Sequence, residues 1–232
     1  MVFGGLTKTS LIDYPGHIAA TVFFIGCNFA CPFCYSSELV IPEKIKKQPK
    51  ISEKEFFIFL KQRQGLLEGI VLCGGEPTIS EGLAGICEKI KNLGYLVKLD
   101  TNGSNPKIIQ GLISNGLIDY AAMDIKSSRE KYEFYSGRKI DIKNIEQSID
   151  ILNQGRIDYE FRTTVAPGLE EQDFIKISDW ISNNSAKYFL QEFSFQKPIL
   201  DPGIFDLAIL DKEQIKKIVD QIKSKFKICA IR

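Results

Sequence analysis

Ala19-Ala20-Thr21-Val22-Phe23-Phe24-Ile25-Gly26-Cys27-Asn28-Phe29-Ala30-Cys31-Pro32-Phe33-Cys34 is an apolar run that ends at a glycine and opens directly into three cysteines. The run reads as a buried strand, and the cysteines as the loop at its carboxyl end. Thiolates at 27, 31 and 34 suffice for three irons of a 4Fe-4S cube and leave the fourth iron open to a small molecule. Ferredoxin runs instead supply four cysteines and close every position. A structural zinc site calls for four Cys or His ligands in separated pairs, and the sole histidine, His17, lies on the far side of the strand. A disulfide framework suits small secreted domains, not a 232-residue chain whose other cysteines, Cys73, Cys87 and Cys229, are scattered. Those three read as buried small hydrophobes.

Outward from this stretch, short apolar runs alternate with helix-like segments, the signature of successive β-α units around a parallel sheet. Strands are expected near 19–25, 70–73, 96–99, 120–123, 159–165 and 188–193, with a last edge strand at 228–231. Helices are expected to begin near Ser52, Ser80, Pro106, Ile142, Glu171 and Asp211, several of them residues suited to a helix start. Six units are too few for a closed eight-unit barrel. The expected fold is therefore α/β, a partial (β/α)6 TIM-like barrel with a lateral mouth. It forms a single domain over 1–232, with its core at about 15–195 and a carboxyl-terminal helix and edge strand at about 211–232. Two stretches, 35–50 with Lys44, Lys46, Lys47 and Lys50, and 196–210, read as long loops. The last helix, with Ile215, Ile218, Val219, Ile222 and Phe226 on one stripe, is expected to pack on the barrel.

In parallel β-α folds the reactive groups collect at the carboxyl ends of the strands. The chain follows that rule: the first strand leads into the cysteines, the second into Gly74-Gly75-Glu76-Pro77, the third into Asp100-Thr101-Asn102-Gly103 and the fourth into Asp124-Ile125-Lys126. Glycines at 74 and 75 let backbone carbonyls approach an amine, and Glu76 adds a negative charge for it. The same turn also reads as a plain strand-to-helix connection. Lys126 suits a ligand carboxylate, while Asp100 and Asp124 suit a ribose hydroxyl or a small cation. Arg162, on the fifth strand, reads equally as a buried ion pair or as a carboxylate ligand.

Thirty basic and twenty-nine acidic residues give a formal charge of +1, so nothing favours a nucleic-acid partner. Met1 to Ser10 lacks the apolar core of a signal peptide, and no run is long enough to cross a bilayer, so a cytoplasmic protein with no membrane partner is expected. An exposed iron site also calls for a reducing, anaerobic setting.

The triplet Cys27, Cys31 and Cys34, with Phe33 before its last member, resembles that of the radical S-adenosylmethionine (SAM) superfamily, and Gly74-Gly75-Glu76-Pro77 resembles its methionine-amine motif. The segment from Gly5 to Gly16, continuing through Val22-Phe23-Phe24, resembles the start of activating proteins for anaerobic ribonucleoside-triphosphate reductase, which are related to pyruvate formate-lyase activating enzymes. The similarity runs from Gly5 to about Phe195. It implies one 4Fe-4S cluster on Cys27, Cys31 and Cys34, adenine contact near Phe33 and Tyr35, and amine contact at Gly74, Gly75 and Glu76. For Asp100, Thr101, Asp124 and Lys126 it implies roles near the carboxylate and ribose of SAM. The activity implied is glycyl-radical activation. One electron from a low-potential donor, flavodoxin or ferredoxin, cleaves SAM to a 5′-deoxyadenosyl radical, which takes a hydrogen from a glycine of a partner enzyme.

Two departures from the pattern bear on the partner. Activating proteins of this group commonly carry His-Asn after the third cysteine, where this chain has Tyr35-Ser36, and a histidine on the last strand of the formate-lyase activating enzymes is replaced around Ser194. A radical enzyme acting on a small molecule, such as a deazapurine synthase, is the alternative activity. An electron-carrying iron-sulfur module is a further one, which the three-cysteine spacing opposes.

Overall fold

With most of its side chains buried, Ala19–Phe24 forms strand β3 of the computed structural model, which describes residues 1–194 and 198–232. By its internal contacts the chain groups into two compact units. The first comprises Met1–Asn28, Ser36–Thr101 and Lys107–Ala121, and the second Phe29–Tyr35, Asn102–Pro106 and Ala122–Arg232. Before and around β3 the first unit holds β1 (Val2–Phe3), β2 (Gly5–Ser10), α1 (Ser37–Val40), α2 (Pro42–Lys47), β4 (Ile51–Ser52) and α3 (Glu53–Gln62). It continues through β5 (Gly69–Gly74), α4 (Leu83–Asn92), β6 (Leu96–Thr101) and nearly all of α5 (Pro106–Ser114). Strand β7 (Tyr120–Asp124) leads into the second unit, with α6 (Tyr132–Ser136), α7 (Ile142–Asn153), β8 (Asp158–Thr164), α8 (Glu171–Ile181), β9 (Asn183–Gln191), α9 (Lys212–Ile222) and β10 (Phe226–Ile231).

In the first unit β6, β5 and β3 run parallel, with Leu99 opposite Leu72 and Leu72 opposite Val22. In the second unit β8, β9 and β10 run parallel, with Arg162 opposite Phe189 and Tyr188 opposite Cys229. The expected last edge strand is therefore present. Strands β1, β2 and β4 escaped the sequence reading; of these β2 pairs antiparallel with β3, Leu6 opposite Val22. Helices cover the strands with buried stripes at i, i+3, i+4 and i+7, as in Leu83, Ile86, Cys87 and Ile90 of α4. On α9, Ile215, Ile218 and Ile222 are buried against α8 and β10. Among the described residues no helix is long and apolar enough to cross a membrane.

Three expectations need correction. The stretch 35–50 is not structureless: it holds α1 and α2, the second opened by Pro42 and tied back by Lys44 Nζ donating to Ser37 Oγ at 2.8 Å. The helix expected at Ser80 starts at Leu83, because Pro77–Ile79 first makes a 3-10 turn. Of the three outlying cysteines only Cys87 is fully buried, and burial pushes its thiol up to about 12, whereas Cys73 and Cys229 are half-buried. Phe195, Gln196 and Lys197, where the expected core ends and the 196–210 loop begins, lie outside the described residues. The remainder of that loop includes a 3-10 turn at Pro202–Asp206, capped by Asp201.

What fixes the carboxyl ends of β3 and β5 is backbone against backbone. The Gly75 N–H donates to Phe24 O at 2.9 Å, and the Glu76 N–H to Gly26 O at 2.8 Å. Gly74 has φ +116°, and a Cβ on Gly75 would lie 1.9 Å from Gly26 O. Only glycine fits that approach. Gly75→Ala is expected to cost at least about 2 kcal/mol, a fall of roughly 4 to 8 °C in melting temperature for a chain of this size. Exposed Gly85, in α4 with nothing within 4 Å of its Cβ position, is the control: Gly85→Ala should gain about 0.5 kcal/mol. Thermal unfolding followed by circular dichroism gives both values, and equal melting temperatures for the two variants contradict the account.

Candidate functional site

In the first unit the loop after β3 carries Cys27, and the turn after β5 carries Gly74, Gly75 and Glu76. Glu76 is 1% exposed. Its Oε1 accepts from the Thr78 N–H at 3.1 Å, Thr78 Oγ1 at 2.5 Å and Thr101 Oγ1 at 2.7 Å. The carboxylate thus caps the 3-10 turn and joins it to the end of β6, so the negative charge expected to meet an amine is already engaged through Oε1. Thr101 belongs to the same network, and Asp100 pairs with Lys98. The sequence reading passed over Lys98. Its signal was the period of two, which sets 98 and 100 on one face of β6.

In the second unit the cysteine turn is held from both sides. Cys34 N–H donates to Cys31 O at 3.0 Å, Ala30 N–H to Ser136 O at 2.8 Å, and Asp201 N–H to Pro32 O at 2.9 Å. Phe33 is buried, its ring 6.1 Å from that of Tyr135 and 5.9 Å from Lys126 Nζ. Lys126 Nζ donates to Asp124 Oδ2 at 3.1 Å, and Arg162 Nε to Asp124 Oδ1 at 2.8 Å. Arg162 is thereby an ion-pair partner, one of its two expected roles. Burial pushes the Asp124 carboxyl up, but the Arg162 and Lys126 charges overcome it and bring it down to about 2. Burial likewise opposes the Lys126 ammonium, yet Asp124, with the charge of Cys31 adding to it, holds it above its usual range. Two cations thus share one carboxylate beside Phe33.

Tyr35 and Ser194, the two positions that depart from the activating-protein pattern, meet. Ser194 N–H donates to the Tyr35 hydroxyl at 2.6 Å, and the Tyr35 and Phe193 rings stack at 5.5 Å. Burial pushes the Tyr35 hydroxyl up, and the Ser194 bond pulls it back in part. Tyr132, which no sequence signal marked, is buried beside this cluster. Cys31, Lys126 and Asp124 all act on it electrostatically.

Among the described residues no three His, Cys, Asp or Glu side chains stand grouped at metal-binding spacing, and Cys27 belongs to the first unit while Cys31 and Cys34 belong to the second. The donor chemistry nevertheless fits an iron-sulfur cluster. All three cysteines are free of disulfides, and thiolate sulfur is the ligand such clusters take.

Comparison with known proteins places this geometry. Residues 21–181 match the model of the radical SAM superfamily. A Methanocaldococcus jannaschii protein named "Putative glycyl-radical enzyme activating enzyme MJ1227" is 35% identical over 196 residues, covering 82% of this chain and 78% of its own. The 7-carboxy-7-deazaguanine synthase of Thermococcus kodakarensis is 28% identical over 127 residues, 47% of this chain and 49% of its own. Among solved structures, Streptococcus suis SuiB bound to precursor peptide SuiA superposes with a TM-score of 0.67 at 13% identity, covering 91% of this chain. The same protein bound to S-adenosylmethionine superposes equally at 12% identity. This chain spans about half the length of these SuiB structures. The fold is α/β with a mostly parallel sheet, shared with those enzymes, and with a family match over residues 21–181 the chain belongs to the radical SAM superfamily.

Proposed function

We propose that this chain is a glycyl-radical enzyme activating enzyme, in which Cys27, Cys31 and Cys34 hold one 4Fe-4S cluster and SAM binds beside it. The observation that carries this reading is that the likeness to the Methanocaldococcus activating-enzyme relative extends over 82% of the chain, against 47% for the deazaguanine synthase. A cluster with an open iron, when bound, supplies one electron to the sulfonium of SAM. The chain's own residues do the rest. The Lys126 ammonium meets the methionine carboxylate, with Asp124 holding it in place. Backbone carbonyls of the Gly74-Gly75 turn and the Glu76 carboxylate accept from the amine, with Thr78 and Thr101 holding Glu76 in place. Phe33 and Tyr35 flank the adenine, and Asp100 and Thr101 serve the ribose. The radical is directed at a glycine of a partner protein, with flavodoxin or ferredoxin as electron donor and the anaerobic cytoplasm as setting. Support for a polypeptide substrate comes from SuiB, a fold relative solved with a precursor peptide.

The deazapurine-synthase reading rests on the Thermococcus likeness and predicts turnover of a small molecule with no protein present. Anaerobic reconstitution followed by incubation with SAM, reductant and candidate glycyl-radical enzymes separates the two. A glycyl radical doublet in the electron spin resonance spectrum of the partner, absent with Cys31→Ala, is the expected result. SAM cleavage with no radical on any partner, together with conversion of a purine precursor, is the contrary one.

Lys126→Met removes one charge-assisted hydrogen bond while Arg162 still pairs Asp124. The SAM dissociation constant of the cluster-loaded protein should rise about 10- to 100-fold, with little change in melting temperature. Unchanged affinity by calorimetry removes Lys126 from the site.

A further inference from the structure

In the second unit, α6 ends against the cysteine turn. The helix stops at Gly137, whose φ is +65° and whose N–H donates to Phe134 O at 3.1 Å. A left-handed glycine after a helix is an ordinary stop signal. What sets Gly137 apart is its neighbour. Gly103, Gly155 and Gly168 of the same unit also have positive φ, and their Cβ positions meet only side chains or open space. A Cβ on Gly137 would instead lie 2.0 Å from Ala30 O and 2.5 Å from Ala30 C. A side chain can swing aside, whereas a carbonyl moves only by carrying its turn with it.

Ala30 is gripped at its other end as well, its N–H donating to Ser136 O at 2.8 Å. The Ala30 carbonyl shares a rigid peptide plane with the nitrogen of Cys31, so a shift of the one is passed to the other. The end of α6 is itself anchored. Tyr135 Oη donates to Pro167 O at 2.8 Å, and Ser136 Oγ donates to Arg138 O at 2.8 Å and to Glu133 O at 3.2 Å. We propose that Gly137 is a positioning residue for the iron-sulfur cluster: bare backbone at the end of α6 seats the Ala30–Cys31 peptide and thereby sets where Cys31 offers its thiolate. The inference rests on the reading of Cys31 as a cluster ligand. To clear a Cβ at 137 the turn must retreat by about 1 Å, whereas metal–ligand distances are held to about 0.2 Å. Gly155 is the matched control, because it follows α7 with φ +66° and nothing within 4 Å of its Cβ position. It carries the same backbone strain without the collision.

The test reconstitutes the full chain anaerobically as wild type, Gly137→Ala, Gly137→Asn and Gly155→Ala. Each is read by iron content, by the rate of iron loss to a chelator and by the spin resonance of the reduced cluster, and the cluster-free proteins by melting temperature. Both alanine variants should melt below wild type, Gly155→Ala by about 2 to 8 °C, since alanine is strained at either site. Only the Gly137 variants should harm the cluster, losing iron at least about tenfold faster and with an altered reduced-state spectrum. Asparagine tolerates the left-handed region better than alanine but keeps the Cβ, so Gly137→Asn should share the cluster defect while its melting temperature recovers in part. Iron content, iron loss and spectra of Gly137→Ala that match those of Gly155→Ala overturn the proposal, as does a Gly137→Asn protein with a wild-type cluster. Should Gly137→Ala not fold, Ser136→Ala decides, because it adds no bulk and frees the same turn from both Oγ bonds. Iron loss roughly threefold faster than wild type is then expected, and a wild-type rate is the contrary result. A wild type that assembles no cluster sinks the ligand reading of Cys31 and the proposal with it, whereas a normal wild-type cluster with an indifferent Gly137→Ala sinks the proposal alone.

Discussion

The close approach of two backbones at Gly26 and Gly75 is the constraint on which the first half of the molecule depends. Strand β3 delivers the first cysteine and β5 delivers the glycine turn, and the two meet through the Glu76 N–H donating to Gly26 O, with no room for a Cβ between them. Sequence dictates the contact at its simplest level, since any side chain at 75 collides with a carbonyl. The register then follows: Phe24 lies opposite Gly74, so both strands end at the same level and both loops open at the same end of the sheet. Glu76 locks the arrangement by spanning from its own turn to Thr101 on the next strand.

Charge inside the molecule obeys a companion rule. Lys98 has Asp100, Lys126 and Arg162 share Asp124, and Arg232 Nη1 pairs with the buried Glu160 at 2.8 Å. Such pairs add little net stability over apolar replacements, because desolvation consumes much of the attraction. What they supply is placement. A carboxylate flanked by two cations, as Asp124 is by Lys126 and Arg162, holds both of them in place.

Much of this was legible in the chain. The strand before the cysteines, the glycine turn and the acidic strand ends all announce themselves locally, through apolar runs broken by residues that no buried strand tolerates. The parallel strands of each unit and the capped start of α3 at Ser52 followed from the same patterns. What was missed depends on distant partners or on weak periodicity. Strand β2 reads Gly-Leu-Thr-Lys-Thr-Ser, with a single large apolar side chain and few buried positions, so nothing in it declares a sheet edge. The helices in 35–50 span four and six residues, too short to show a 3.6 period. The bonds from Thr78 and Thr101 to Glu76 were not legible, because those hydroxyls find the carboxylate only once the strands are assembled. Lys98 was passed over because a lysine in a strand usually faces solvent.

The central claim is an iron-sulfur cube held by Cys27, Cys31 and Cys34, with one iron left for SAM. Electron spin resonance of the dithionite-reduced, anaerobically reconstituted protein, recorded with and without SAM carrying a nitrogen-15 amine, tests it most directly. A change in the cluster signal together with hyperfine coupling to the labelled nitrogen is the predicted result. A cluster signal unaltered by SAM, with no coupling to the label, contradicts the account.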